Sequence, residues 1–339
     1  MTLKINAKSI VQLVLSLGLG IGLVYWFVSQ MTQEQIDGTV DSFKKANFFW
    51  LALSLGFGFI ANFLRTQRWR LMFIPLNYYP RYWNTFFSVN VMFFANLFIP
   101  RLGEVSRCGI LAKYEGIPVE KSIGTMVVER IIDLICLFIL IGLLLIVEYD
   151  VISNYFFELF SDKQEVDGPG YHWLIKYGIP LAIVLSITII SFIILRKHGI
   201  AQLKRTLRQR LRGLSEGLMS IRHMKSFTQF ILLTIGTWLC YFIMIYVAFF
   251  SLPETSSLAP FSALACLIFG SFAMIATPGG IGAYPLAIRA VLLLYGINEV
   301  VGGALGTMIW GIQTGGVFIA GLISLALLSI MNPPVKIKA

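Results

Sequence analysis

Charge is scarce in this chain: 13% of its 339 residues are Asp, Glu, Lys or Arg, against 57% hydrophobic. Soluble domains carry about 25% charged residues, so a single water-soluble globule is excluded. Histidine is scarcer still, with only His172, His198 and His223, all in loops. The four cysteines, Cys108, Cys136, Cys240 and Cys266, show no CxxC spacing and sit in or beside apolar segments. They read as small buried hydrophobes, not as metal ligands or disulfides. No nucleophile–base constellation and no nucleotide-binding loop is present. The expectation is a protein without catalytic residues, metal or cofactor.

What the chain has in abundance is long apolar runs. A helix crossing a bilayer needs roughly 20 apolar residues, and six windows meet that demand: about 10–28, 48–72, 122–147, 173–195, 227–250 and 301–330. The first follows Lys4 and Lys8 like a signal peptide. Its length, and Val28-Ser29-Gln30 in place of a small-residue cleavage site, make it a retained helix. The expected fold is an all-α integral membrane protein, one polytopic bundle over 1–339.

Loop charges orient the spans. Segment 196–225 carries nine Lys and Arg against Glu216 alone, so it is expected in the cytoplasm. Segment 148–170 sets six acids against Lys163 and suits the outer side. Loops 65–83 and 101–121 are basic, and Lys336 and Lys338 follow the last span. Both termini are therefore expected inside, at the cell membrane. The formal charge of +10 then serves anionic lipid headgroups and not nucleic acid.

Parity adds a constraint. Two basic loops flank the apolar stretch 84–99, which is too short for an ordinary crossing and ends in Ile99-Pro100. A re-entrant hairpin keeps both loops inside. Stretch 258–297, broken at Thr277-Pro278-Gly279-Gly280, can be an outer hairpin or two full crossings. The two stretches share Phe-Ala, Pro, Gly and Tyr-x-Gly-Ile in order, or nearly so (Phe94-Ala95 to Ile117; Phe272-Ala273 to Ile297). Opposite orientation makes them an inverted repeat, about 48–148 and 227–330.

Proline ends helices and glycine permits sharp turns. Pro100-Arg101-Leu102-Gly103 and Pro278-Gly279-Gly280-Ile281-Gly282 are thus expected helix breaks. In a membrane, such backbone must be buried in protein or line a wet cavity. The helix restarting after each break aims free amides inward, as anions require. Either a substrate site or a plain kink satisfies this pattern.

Polar residues gather at the same places. Glu104 and Arg107 are one helical step apart. Ser122, Thr125, Glu129 and Asp133 form one stripe, with Arg130 beside it. At about 2.5–3.5 kcal/mol per charge at mid-membrane, Glu129, Arg130 and Asp133 must pair, be hydrated near the surface, or both. Asn62, Arg65 and Arg68 stack on one face, where snorkelling and phosphate binding are the alternatives. Gln313 sits among glycines whose spacing suits close helix packing.

Arg65-x-x-Arg68-Trp69-Arg70, Asn96-Leu97-x-x-Pro100-Arg101-x-Gly103-Glu104-x-x-Arg107, Val128-Glu129-Arg130-Ile131-Ile132-Asp133 and Pro278-Gly279-Gly280-Ile281-Gly282 come in order over about 45–325. In this the chain resembles the lysylphosphatidylglycerol synthase transmembrane family, the flippase region of the multiple peptide resistance factor. The resemblance implies two re-entrant elements and lipid translocation. Members often carry Glu shortly after the PGGxG turn, where this chain has Ala283-Tyr284-Pro285. Only Asn332 to Ala339 follow the last span, so lipid synthesis is not implied, and a separate lipid-synthesising enzyme is an expected partner.

The expected function is a lipid flippase or scramblase for an anionic or zwitterionic lipid, moving headgroups through a polar cleft. Its expected substrate-binding residues are Arg65, Arg68, Asn96, Arg101, Glu104, Arg107, Glu129, Arg130, Asp133, Gly279, Gly280, Gly282 and Gln313. The alternatives are a small-solute transporter or channel, which broken helices suit equally, and a membrane glycosyltransferase using Glu148 and Asp150. Membrane lipids, and a second copy of the chain, complete the expected partners.

Overall fold

A computed structural model describes residues 33–99, 101–148 and 226–332, together with Tyr25. The spans expected at 10–28 and 173–195, most of loop 148–170, nearly all of loop 196–225, Pro100 and the C-terminal lysines lie outside the described residues. Among the described residues the fold is all-helical, with nine α-helices and no strand.

A short amphipathic helix, α1 (Gln33–Lys45), leads into α2 (Phe48–Leu71). Two helices joined by a tight break follow, α3 (Tyr82–Phe98) and α4 (Leu102–Glu115), then the long α5 (Val119–Val147). After the undescribed stretch come α6 (Phe227–Phe249) and a second broken pair, α7 (Pro260–Ala276) and α8 (Ala283–Leu294). The chain then runs through α9 (Glu299–Met331). Four of these, α2 with its following 3-10 turn, α5, α6 and α9, are long and apolar enough to cross a membrane. Their bounds fall within four residues of the expected spans, because continuous apolarity is the strongest signal a sequence carries.

One expectation is corrected. Residues 101–121 were expected as a basic loop, but 102–115 form a helix. Its charges lie on a segment too polar for a hydropathy window, yet its ends are well specified. The side-chain Oδ1 of Asn96 accepts from the Gly103 amide at 2.8 Å, which satisfies a first-turn donor of α4 from the preceding helix. At the other end Gly116 adopts φ +67 and its amide bonds back to Leu111, a left-handed helix stop. Stretch 84–99 is therefore helix α3 with its C-terminal cap, and α4 packs against it across the break.

The two helices of this pair lie in extreme proximity. A Cβ on Gly103 would stand 1.9 Å from the Met92 carbonyl oxygen, so only glycine fits there. Three termini share one end of the molecule. Arg81 at the start of α3 bonds Glu115 at the end of α4 (3.0 Å) and Asn332 beyond α9 (2.7 Å). At the opposite end, Asn47 before α2 donates its amide to the Ser251 carbonyl after α6 (2.8 Å), and α7 departs from that side.

Helix α9 is the spine. Its rise spans roughly 50 Å. Along its first half it runs against α8, where a Cβ on Gly306 would lie 3.0 Å from Pro285. Along its second half it runs against α3, where Gly321 abuts Phe94 and Ser324 accepts from Asn90 at 3.2 Å. Between these contacts, the Trp310 indole donates to the Gly279 carbonyl at 2.7 Å.

Around the spine lies a core built from α6 to α9, with Ile245, Phe249, Ile268, Ile288, Leu305 and Ile309 buried. A smaller core surrounds Trp69, Phe73, Met92, Leu111, Val128 and Phe230. This second core carries the site.

Candidate functional site

Three helices deliver charge to one buried place. On α2, Arg65 and Arg68 are one turn apart and share a face. On α5, Thr125, Glu129 and Asp133 recur at four-residue spacing and share another. Two arginines therefore meet two carboxylates as facing rows. Arg65 Nη2 bonds Asp133 Oδ2 at 2.6 Å, and its Nε lies 3.4 Å from Glu129 Oε1. Arg68 Nη2 bonds both Asp133 Oδ1 (2.8 Å) and Glu129 Oε1 (3.1 Å).

Arg107 arrives from the second turn of α4. Its Nη2 lies 2.8 Å from Glu129 Oε2, close enough for an ion pair but outside hydrogen-bond alignment. Its guanidinium covers the Trp69 ring at 4.2 Å, a cation–π contact that compensates part of the lost hydration. The indole of Trp69 donates to Thr125 Oγ1 at 3.0 Å, and that hydroxyl donates onward to the Ser122 carbonyl at 2.9 Å. Arg65 also sits over the Phe93 ring at 5.6 Å.

Burial makes this cluster energetically serious. Arg68, Arg107 and Glu129 are 0% exposed, and Arg65 is 6% exposed. Desolvating an ion costs several kcal/mol, recovered only when every donor and acceptor is matched. Here matching is incomplete. Buried donors without a hydrogen-bond partner include Arg65 Nε, Arg68 Nε and Nη1, Arg107 Nε and Nη1, and Arg130 Nε and Nη2. The Ser122 hydroxyl and Glu104 Oε2 are likewise unpartnered. Native proteins leave few such atoms, and here they gather at one place, which makes it the candidate site.

The remaining expected residues are placed elsewhere. Arg101 is exposed at the break between α3 and α4, in a left-handed backbone conformation (φ +66). Asn96 holds the start of α4, as described. Gly279, Gly280 and Gly282 form the second break, all at positive φ, where Thr277 Oγ1 donates to the Ile281 carbonyl at 3.0 Å. This turn does not reach the arginines. It meets the end of α3, where a Cβ on Gly279 would fall 2.9 Å from Leu97. The two breaks therefore touch each other.

Gln313 also stays apart. Its amide donates to Ser54 Oγ at 3.3 Å, and Ser54 donates to the Met244 carbonyl. Ser54 precedes Arg65 by eleven residues of α2, roughly 16 Å of helix. Gln313 thus ties α9 to α2 and α6 and is not brought to the cluster. Trp69 and Phe93, in contrast, touch the arginines without having been singled out. Trp69 lies inside the Arg-x-x-Arg-Trp-Arg motif, and an aromatic beside buried arginines was the available signal.

A model of the family described as the lysylphosphatidylglycerol synthase transmembrane region matches residues 10–321. No curated protein and no solved structure matches the chain. The match spans all four apolar helices except the last ten residues of α9, and includes every residue of the cluster.

Proposed function

From the premise that this chain belongs to the lysylphosphatidylglycerol synthase transmembrane family, a multi-pass membrane domain tied to lipid handling, we propose that it moves a lipid between leaflets. One observation carries the reading: an arginine-rich cluster with unsatisfied donors, buried within helices apolar enough to span a bilayer. Ionisable groups so placed are costly and serve polar cargo by default.

On this reading α3–α4 and α7–α8 are re-entrant hairpins entering from opposite faces, the two halves of an inverted repeat. Their breaks touch at Leu97 and Gly279, as re-entrant tips do in transporters with a midplane site. The headgroup passes the polar interior while the acyl tails stay in lipid. The protein performs translocation and no covalent chemistry. It works at the cell membrane with both termini in the cytoplasm, beside a separate enzyme that makes its lipid, and a second copy of the chain is a further proposed partner.

The test is leaflet exchange of fluorescent phospholipids in proteoliposomes of the purified protein. Exchange faster than in protein-free vesicles supports the proposal. Rates equal to those of empty vesicles for every lipid offered would remove it.

A further inference from the structure

Building on that translocation reading, we infer that the headgroup carried is a net-negative phosphate bearing no free amine. Helices α2, α3 and α6 contain no Asp or Glu, and no acidic residue occurs between Glu254 and Glu299 or after Glu299. Both α7 and α8, including the break that meets α3, are therefore free of carboxylate. Apart from helix ends and the amphipathic α1, the acids of the described helices are Glu104, Glu129 and Asp133.

All three stand among arginines. Glu129 is shared by Arg65, Arg68 and Arg107, and Asp133 by Arg65 and Arg68. Glu104 keeps one buried oxygen unpartnered, yet it lies in the field of Arg65. Against three carboxylates stand four guanidinium groups, Arg65, Arg68, Arg107 and Arg130. Among the described residues the cluster therefore holds one guanidinium more than carboxylates, with Arg65, Arg68, Arg107 and Glu129 buried and Glu104, Arg130 and Asp133 half-buried.

Hydrogen bonding selects in the same direction. Most of the unpartnered atoms are donors, the N–H groups of Arg65, Arg68, Arg107 and Arg130, against two carboxylate oxygens, Glu104 Oε2 and Glu129 Oε2, the second of which lies 2.8 Å from Arg107 Nη2. Phosphate presents only acceptors to such forks and is gripped bidentately by arginine. An ammonium presents only donors, so it would add donors where donors already exceed acceptors. Like charges brought together in a desolvated site are strongly disfavoured. A monoanionic phosphate cancels the surplus and fills the forks in one step.

The experiment compares three labelled lipids with the same acyl chains in the same proteoliposomes. They are phosphatidylglycerol (anionic), phosphatidylethanolamine (zwitterionic) and aminoacyl-phosphatidylglycerol (cationic). Phosphatidylglycerol should exchange at least about tenfold faster than the cationic lipid, with the zwitterion between, since about 1.4 kcal/mol of discrimination gives that factor. R130Q removes the surplus charge at the cluster arginine that makes no ion pair within 4 Å among the described residues, and should narrow the ratio about threefold or more. Should R130Q fail to fold, the wild-type ratio decides alone. Equal rates for the three lipids, or preference for the cationic one, overturn the inference and leave translocation standing. No exchange of any lipid overturns both. Uptake of labelled inorganic phosphate without lipid exchange assigns the site to a soluble anion and also overturns both.

Discussion

The two broken helix pairs solve one geometric problem with different chemistry. Between α3 and α4 the break is held by side chains. Asn96 caps the returning helix, Arg101 takes the left-handed conformation, and the helix beyond delivers Glu104 and Arg107. Between α7 and α8 the break carries no charge: three glycines at positive φ, one threonine hydroxyl and the Trp310 indole hold it. The first pair brings charge to the interior, and the second brings none. The lesson is a division of labour. One half supplies the buried charges, and the other supplies a compact acid-free turn that closes on Leu97.

That asymmetry can be broken most severely at Glu129. E129A leaves Arg65, Arg68 and Arg107 buried without their shared partner. Stripping one member from a buried ion network costs about 3–5 kcal/mol. The expected outcome is loss of a monodisperse peak in detergent, or a large fall in Tm; an unchanged Tm would show that these arginines are hydrated.

Next in size are the glycines at each break. G103A forces a Cβ against the Met92 carbonyl oxygen and should destabilise by about 1–3 kcal/mol, the usual cost of overpacking. G109A, one turn and a half further along α4, meets nothing within 4 Å and should be neutral or gain up to about 1 kcal/mol from helix propensity. Paired thermal melts decide, and equal effects would mean that α3 and α4 are not held so close.

At the second break, W310F removes the indole donor to the Gly279 carbonyl. The expected loss is about 1–2 kcal/mol, read as increased protease or cysteine-label access to residues 278–282. No change in access would mean that the glycine turn holds itself.

The smallest effect is expected at the surface clasp. Arg81 bonds Glu115, but its side chain is 63% exposed. R81A should cost under about 1 kcal/mol, as exposed ion pairs do. A larger loss would show that the clasp, and not the buried cluster, anchors the α3–α4 pair.

Much of this was legible before any coordinates. The four described spans, the stripe of Ser122, Thr125, Glu129 and Asp133, and the Arg65/Arg68 face all follow from periodicity, which is local. The expectation that charges in these helices must pair followed from their cost in lipid. That a helix restarts after the 100–103 break was legible, with Glu104 and Arg107 one step apart, but its extent was not, because its start is specified by Asn96 on another helix. Nor was the fate of Gln313, whose partner Ser54 lies 259 residues away in sequence.

By itself, the sequence determined that this is a helical membrane protein, where its described crossings fall, and which charged faces must be hidden. These are consequences of composition and period, written within single turns of chain. Tertiary structure alone decided that three helices converge so that Glu129 serves three arginines, and that Gly279 closes on Leu97 while Gln313 stands apart. Such pairings join residues remote in the chain, and no local pattern encodes the distances between them.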